Sequence, residues 1–423
     1  MYNNFIGDAV IMEVMYKVCC GLDVHKEKLV AYLKLKGKKT VIKEFGAETK
    51  DIKELANWLL ENKCEKVAME STASYWKPLW NIFEIKGISA MVINAKDYKN
   101  VPGKKTDVAD SEWIADLLQH GLLKESFIPT REQRELREAV RYRKSLTQER
   151  ARELNRMQKM LEGANIKITS VLTDIKGKTS RNLIDYVLEN DDDITLEKAE
   201  QLIANKKVKN KLDRIVTSME GIITPFQKEL LKEVVAHIDD MTERINRMNK
   251  IIERYMTEYE ENLEKLEKIP GIGRRSAQII LAEIGQDMEK FPSKNHISSW
   301  TGLCPGNNES AGKRRSGRTR KGNKTLKSTL IQCAKSAVKH KHSFYYAQYQ
   351  RLCVKRGANR ATVAVAHSML ISIYHILKEN KEYKDLGSEF YNKFNKEKKV
   401  NSYLKKIKEL GYNVQIQENA QVS

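Results

Sequence analysis

Four carboxylates stand where a metal-binding site could form. Asp23 follows the apolar run VCCGL and Glu70 follows VAM, so each lies at the carboxyl end of a predicted strand, the edge of an α/β sheet where ligands gather. Asp107 and Asp110 are three residues apart at a predicted helix start and therefore share one face. Clustered carboxylates repel one another unless a cation neutralises them, and hard oxygen ligands select Mg²⁺ or Mn²⁺. The pattern predicts a two-metal site for phosphodiester chemistry.

Each carboxylate also has a structural interpretation. Asp23 could begin a turn, Glu70 could cap the next helix, and Asp107 could be an acid in the first turn of a helix. Taken singly, each is more readily explained in this way. The four together, in that order of elements, are far more specific for a metal site.

A second group of chemistry-bearing residues surrounds Ser310. The preceding WTGLCPGNNE is rich in turn residues and predicts a loop, and Gly312 permits close backbone approach to a ligand. Attack on a phosphodiester develops negative charge that nearby cations would stabilise, and a serine–phosphate link would conserve bond energy for rejoining. A loop serine is more often a hydrogen-bonding turn residue, so both interpretations stay open. The neighbouring cations are Lys313, Arg314, Arg315, Arg318, Arg320 and Lys321.

The segment IPGIG predicts a tight turn between two helices, the second beginning near Arg274. Such a turn, through Gly271 and Gly273, leaves backbone N–H groups and the helix dipole available to a phosphate. This is the helix-hairpin-helix pattern of sequence-independent backbone binding. A simple glycine-rich connection between packed helices is a serious competitor.

The elements that position these residues differ along the chain. From Tyr16, three short strands with a hairpin at Gly37 precede alternating helices and strands, which favours an α/β domain with a mainly parallel part to its sheet. From Arg131, long charged helices with apolar residues at three- and four-residue steps predict an antiparallel hairpin or coiled coil. Between these long helices, residues 165–215 have only weak helical patterning. The rest is mainly helical.

Composition limits the class of protein. A chain of 423 residues with 41% hydrophobic content favours two or three domains. The net charge of +20, and the absence of Asp and Glu between Ser310 and Lys378, favour a polyanionic partner. The six cysteines lack paired C-x-x-C spacing, which argues against zinc and disulfides. No apolar run long enough to span a membrane and no secretory signal are found, so we expect a cytoplasmic protein without a membrane partner.

Taken together, several motifs closely resemble those of the DEDD transposases of the insertion-sequence one-ten family, bridge-RNA-guided recombinases. They are GLDVHK, VAMEST, KTDVADSEWIADLL, IPGIG and GLCPGNNESAGKRRSGRTRKGN. The resemblance implies a RuvC-like (RNase H-like) domain at 16–128, a coiled-coil arm with a polar insertion at 129–266, a mainly helical transposase domain at 267–380 and a peripheral tail at 381–423. It covers the chain from about Tyr16 to Leu377.

The resemblance also implies residue roles. Asp23, Glu70, Asp107 and Asp110 would be the DEDD carboxylates that bind Mg²⁺. Ser310 would be the nucleophile that forms a transient phosphoserine link to DNA, with Ser316 as a weaker fallback. The family pattern reads Ser-Ser-Gly-Gly or close to it, whereas this chain has ESAG there, with Glu309 in place of the first serine.

The partners implied by the resemblance are donor and target DNA and a structured guide RNA that selects sequence by base pairing. The protein would assemble from dimers into a tetramer whose composite sites combine two subunits, in a bacterial or archaeal cytoplasm at the nucleoid. Two other functions remain open. One is a RuvC-like, metal-dependent junction endonuclease without a covalent intermediate, and the other is a structural nucleic-acid-binding protein.

Weaker candidates accompany these. His25 and Lys26 follow Asp23 and could contact the metal site or nucleic acid, although a lone histidine after a strand is more often solvated or packed. Tyr75 and Trp76 could stack on bases, but aromatic residues that open an apolar helix are more often core. The cluster FYYAQYQ at Phe344–Gln350 could stack or pack.

Overall fold

The computed structural model describes residues 14–71, 73–94, 107–203, 205–305, 308–310, 313–316 and 318–412. The chain divides into two compact units. Unit 1 comprises residues 1–131 and unit 2 comprises residues 132–423. Each unit is described by itself.

Unit 1 is built on a five-stranded sheet in the order β3-β2-β1-β4-β5. The first three strands pair antiparallel, whereas β4 pairs parallel to both β1 and β5. The predicted α/β region with three leading strands and a partly parallel sheet is confirmed. The elements are β1 Cys19–Val24, β2 Lys28–Lys34, β3 Thr40–Gly46, α1 Thr49–Glu61, β4 Lys66–Glu70, α2 Trp76–Lys86, β5 Ala90–Ile93 and α3 Asp107–Gln119.

The two faces of β1 carry different layers because successive side chains of a strand alternate. Cys20, Leu22 and Val24 belong to the core shared with α1 and α2. Gly21 lies on the other face, beneath α3. A Cβ atom at Gly21 would lie 2.2 Å from the carbonyl oxygen of Ser111, so α3 packs directly on the backbone of β1. This close approach sets how near the first turn of α3 comes to the end of β1.

Unit 2 begins with an antiparallel pair of long helices, α4 Arg131–Gly163 and α9 Pro225–Tyr255. Arg143 bonds to Asn249 at 3.2 Å and Arg150 to Thr242 at 3.0 Å, so the residue numbers fall on one helix as they rise on the other. The predicted antiparallel pairing of two long helices is confirmed, although other helices lie between them in the chain. A capping box, formed by Thr224 and Gln227, starts α9.

The weakly patterned segment between the long helices forms four short helices. Its apolar side chains, such as Leu183 and Ile184, join Leu161 and Leu231 of the long helices in one buried cluster. The segment is therefore packed, although its sequence gave only weak helical patterning. These helices are α5 Lys178–Glu189, α6 Leu196–Leu202, α7 Lys206–Lys209 and α8 Leu212–Met219.

The described residues of the rest of unit 2 are mainly helical, as predicted, and include one small two-stranded hairpin that was not predicted. Its elements are α10 Glu260–Glu267, α11 Arg274–Ile284, α12 Lys294–Thr301, β6 Asn308–Ser310, β7 Lys313–Ser316, α13 Lys324–Ala337, α14 Phe344–Arg356, α15 Ala358–Glu379 and α16 Phe390–Glu409.

The expectation that no segment is apolar enough to span a membrane is wrong for α15. Among the described residues, this helix alone is long and apolar enough to cross a bilayer, by length and composition only. Half of its apolar window is buried inside the protein, where Val365, Ala366 and Met369 are fully covered. Core helices pass the same test, so the helix is weak evidence for a membrane segment.

Candidate functional site

Asp23 and Asp107 meet at the carboxyl end of β1. Asp23 is buried, and its Oδ2 lies 3.0 Å from Nε2 of His25. The same nitrogen lies 3.3 Å from Oδ1 of Asp107, whose Oδ2 pairs with Nζ of Lys28 at 2.5 Å. One potential ligand atom from each of Asp23, His25 and Asp107 falls within 4.8 Å of the others. We call Asp23, His25, Lys28 and Asp107 together the carboxylate cluster.

Glu70 and Asp110 flank this cluster without belonging to its group of close donor atoms. Leu22 pairs with Met69, so Asp23 and Glu70 come next on adjacent parallel strands and lie side by side at the sheet edge. Asp110 lies in the first turn of α3 with Asp107. The structure therefore brings two of the four predicted carboxylates into contact distance and leaves the other two on adjoining positions.

The charges of the cluster act on one another. Burial raises the pKa of Asp23; nearby His25 opposes this shift, while the negative charges of Asp107 and Asp110 add to it. The hydrogen bond from Lys28 lowers the pKa of the half-buried Asp107. Lys28 thus supplies positive charge in a crowded group of acids, and sequence reasoning missed Lys28. Its position five residues after Asp23, across the β1–β2 turn, is the only signal that could have found it.

The donor set suits a hard divalent cation. Carboxylate oxygens are the ligands that Mg²⁺ and Mn²⁺ prefer, and the mutual repulsion at Asp23 is what a cation relieves. Asp23 and Asp107 would hold the ion, with Glu70 on the adjacent strand β4 and Asp110 in the first turn of α3.

The predicted helix-hairpin-helix turn joins α10 to α11. Gly271 has a φ of 86°, and a Cβ there would lie 2.4 Å from the carbonyl oxygen of Cys333, so the turn packs against α13. Gly273 is the N-cap of α11. Arg274 forms ion pairs with Glu260 and Glu267 inside the hairpin. The turn thus has a packing role, and a phosphate would compete with two carboxylates for Arg274.

Ser310 lies on β6, opposite Lys313 of β7. The sequence predicted a loop here, but backbone pairing between residues so close along the chain gives a two-stranded hairpin, called the serine hairpin. The side chains of Ser310, Lys313, Arg314 and Arg315 lie outside the described part of the chain. Arg320 and Lys321, just beyond the hairpin, are exposed.

The base of the serine hairpin is closed by backbone contacts. Pro305 forms a bridge with Thr319, and the N–H of Arg320 donates to the carbonyl of Cys304 at 3.3 Å. Gly302 and Gly322 lie against each other, since a Cβ on Gly322 would fall 2.5 Å from the nitrogen of Gly302. Both ends of the serine segment therefore start from one fixed point.

A buried polar network holds that point, and sequence reasoning missed it. Glu283 of α11 has no exposed surface and accepts two hydrogen bonds from Arg141 of α4, at 2.7 and 2.8 Å. Nδ2 of Asn323, the N-cap of α13, donates to Glu283 at 2.6 Å. Arg137 lies 3.6 Å from the same carboxylate, and burial lowers the pKa of Arg137 to about 10. The network joins α4, α11 and Asn323, which lies one residue beyond the Gly302–Gly322 contact at the base of the serine hairpin.

Two family models match the chain. The DEDD transposase model of IS110 matches residues 20–166, and the model described as transposase IS116/IS110/IS902 family matches residues 263–350. The first range contains the four predicted carboxylates and the second contains IPGIG and Ser310. No curated protein matches the chain. The two matches confirm the resemblance of the sequence motifs: the chain belongs to the IS110 family of DEDD transposases and is a DNA transposase.

Proposed function

We propose that this transposase cuts and rejoins DNA through a transient phosphoserine at Ser310, with a Mg²⁺ site formed by Asp23, Glu70, Asp107 and Asp110. The observation that carries the metal half is the meeting of Asp23 and Asp107 between β1 and α3, with Glu70 beside Asp23 in register. Family membership supports dependence on a divalent metal. When bound, the metal supplies positive charge to a phosphate undergoing displacement.

The proposed chemistry at the serine conserves the phosphodiester. The Ser310 hydroxyl gives its proton to water and attacks phosphorus, forming a serine–phosphate bond while the bond from phosphorus to one sugar oxygen breaks. That oxygen takes a proton from water and leaves as a hydroxyl. In the return step, a sugar hydroxyl from another strand gives its proton to water and attacks the same phosphorus; the serine–phosphate bond breaks, and the Ser310 oxygen regains a proton from water. The cations from Lys313 to Lys321 would stabilise the charge that develops in both steps.

The finer architecture is part of the proposal. The sheet order with three antiparallel strands followed by two parallel ones supports a RuvC-like (RNase H-like) domain at 16–128. The arm at 129–266 and the domain at 267–380 would bring the serine of one subunit to the carboxylates of another in a tetramer, with 381–423 peripheral. The acid-free stretch between Ser310 and Lys378 supports a structured guide RNA beside the DNA partners. Such an enzyme would act at the nucleoid.

The decisive experiment looks for protein covalently joined to DNA after denaturation. Wild-type protein should yield a serine-linked adduct, Ser310→Ala should abolish it while DNA binding persists, and Ser316→Ala should leave it intact. Asp23→Ala should also prevent strand cleavage. An active Ser310→Ala variant that leaves free ends and no adduct would establish the junction endonuclease instead.

The metal site has its own test. Mg²⁺ should raise the thermal unfolding temperature of the wild-type protein, because an ion that binds only the folded state stabilises it by mass action. Asp107→Asn should reduce this increase, whereas Glu61→Gln, an exposed acid at the end of α1, should not. A wild-type protein indifferent to Mg²⁺ and Mn²⁺ would contradict the site.

Guidance by RNA is tested by purification. Protein expressed with its native flanking DNA should retain one discrete, structured RNA at moderate salt after nuclease trimming. Heterogeneous RNA that modest salt removes would contradict guidance and leave the transposase assignment untouched.

A further inference from the structure

A cavity of about 480 Å³ opens in unit 1 at the end of α3 opposite to the carboxylate cluster. Its lining contains no Asp or Glu. The floor and walls come from β2, the β2–β3 turn, the segment before β1 and the end of α3. We call it the lysine cavity, after the four lysines in its lining: Lys17, Lys34, Lys36 and Lys39.

One lysine of the cavity is fixed and three are free to bind. Lys34 pairs with Asp116 and bonds to Oε1 of Gln119 at 3.1 Å, so α3 holds it in place. Lys17, Lys36 and Lys39 are exposed, and in the described part of the chain none of their side chains makes an ion pair. Three of the four lysines of the cavity therefore carry positive charge that no carboxylate in the described part of unit 1 pairs with.

Two other cavities of the protein differ in this respect. A cavity of about 500 Å³ beside α5 has Asp174 in its lining, and one of about 700 Å³ between α4 and α9 has Glu132, Glu135 and Glu258. Cavity size alone therefore does not select the lysine cavity. Its uncompensated charge does.

We propose that the lysine cavity binds the phosphodiester backbone of a nucleic-acid strand, at a point separate from the site of cleavage. Lysine ammonium groups are compact charges that bind phosphates without reading sequence. The 13 residues of α3 separate the cavity from the carboxylate cluster by about 20 Å at 1.5 Å per residue. A duplex covers that distance in about six base pairs at roughly 3.4 Å each. The site holds the strand in place beyond the reacting phosphate, and its role does not depend on whether Ser310 is the nucleophile.

The test compares two triple variants of the full-length protein with equal loss of charge. The first is Lys17→Gln, Lys36→Gln and Lys39→Gln. The control is Lys53→Gln, Lys63→Gln and Lys124→Gln, three exposed lysines of unit 1 that do not line the cavity. Binding to duplex DNA and to a structured RNA is measured over a range of salt concentrations, and thermal unfolding verifies that both variants fold.

The slope of log K against log salt counts the phosphates neutralised, at about 0.9 per contact for a duplex and about 0.7 for a single strand. We expect the cavity variant to lose about 2 to 3 in slope magnitude with at least one polynucleotide, and the control to lose less than about 1. A loss confined to DNA or to RNA identifies the strand that the cavity holds.

Equal slopes for the two triple variants with both polynucleotides would overturn the proposal. The proposal would also be overturned if the cavity bound small anions but not polynucleotides. In that case pyrophosphate would raise the unfolding temperature of the wild type but not of the cavity variant, while polynucleotide slopes stayed the same. The adduct experiment with Ser310→Ala tests only the proposed chemistry at the serine. Its outcome does not affect the comparison of salt slopes, so the two proposals can fail separately.

Discussion

The carboxylate cluster of unit 1 and the base of the serine hairpin in unit 2 are positioned in different ways. In unit 1, Asp23 and Asp107 meet because two backbone segments touch, with α3 lying on Gly21 of β1. In unit 2, backbone contacts close the hairpin base, but the base is joined to α4 and α11 through the side chains around Glu283. The first arrangement lets the functional side chains change while the fold survives. The second makes stability and positioning depend on the same residues.

The largest effect should come from removing the buried charge of unit 2. Glu283→Ala leaves Arg141 and Arg137 without their carboxylate, and breaking a buried pair in this way costs about 3 to 5 kcal/mol. Glu243→Ala, which removes an exposed partner of Arg247, should cost less than about 1 kcal/mol.

Urea denaturation measures the total loss, and hydrogen exchange locates it. The amides of α11 and α13 should lose protection in Glu283→Ala, while those of β1 and β4 keep it. If Glu283→Ala and Glu243→Ala lowered the free energy of unfolding equally, the buried network would not stabilise unit 2 as expected, and the contrast between the two regions would be lost.

The next largest effect should come from the contact that positions the carboxylates. Gly21→Ala places a methyl group where the carbonyl of Ser111 lies, and overpacking of this kind costs about 1 to 3 kcal/mol. Because α3 must shift, Asp107 moves away from Asp23. The variant should therefore be less stable without metal, and Mg²⁺ should raise its unfolding temperature by less than it does in the wild type. Gly163→Ala is the control, since a Cβ there meets open space. Retention of the full Mg²⁺ effect in Gly21→Ala would show that the α3 contact does not set the site.

Sequence was sufficient where the determining signal is local. The ends of β1 and β4 follow from short apolar runs, and the alternation of strands and helices follows from periodicity, so Asp23 and Glu70 could be placed at one sheet edge. The two long helices, α4 and α9, could be predicted equally well because their apolar residues repeat at helical spacing over many turns.

Sequence was insufficient where the determining partner is distant. Glu283 has the spacing of an ordinary helical acid, and its partner Arg141 lies 142 residues earlier. The glycine turn before Arg274 predicted a phosphate site, but nothing local in the sequence indicated that Arg274 pairs with two glutamates of α10. The core of residues 165–215 was missed because its short helices bury their apolar side chains against the two long arms rather than against one another alone.

A smaller effect separates two functions of Asn323. Its side chain accepts from the N–H of Leu326 as the cap of α13 and donates to Glu283. Asn323→Ser keeps a capping oxygen but lacks the side-chain amide that donates to Glu283, whereas Asn323→Ala lacks both groups. We expect Asn323→Ala to cost about 1 kcal/mol more than Asn323→Ser in urea denaturation. If the network positions the serine hairpin, both variants should form the adduct more slowly at unchanged DNA affinity; a normal rate in Asn323→Ser would assign the bond to Glu283 to stability alone.

The smallest expected effect is a pH dependence of stability in unit 2 that arises from His367. His367 lies half-buried on α15, which packs against α13, and burial lowers its pKa below the ordinary value of 6.5. The folded state therefore binds this proton less readily than the unfolded state does. The stability that neutral His367 contributes is fully present above pH 6.5 and is lost as the pH falls through that value toward the lowered pKa of the folded protein. Acidification from about pH 7.5 to about pH 5.5 should thus speed amide exchange in α15 and α13, and His367→Gln should reduce that response. An identical response in His367→Gln would mean that His367 is not the source of the acid sensitivity of α15 and α13.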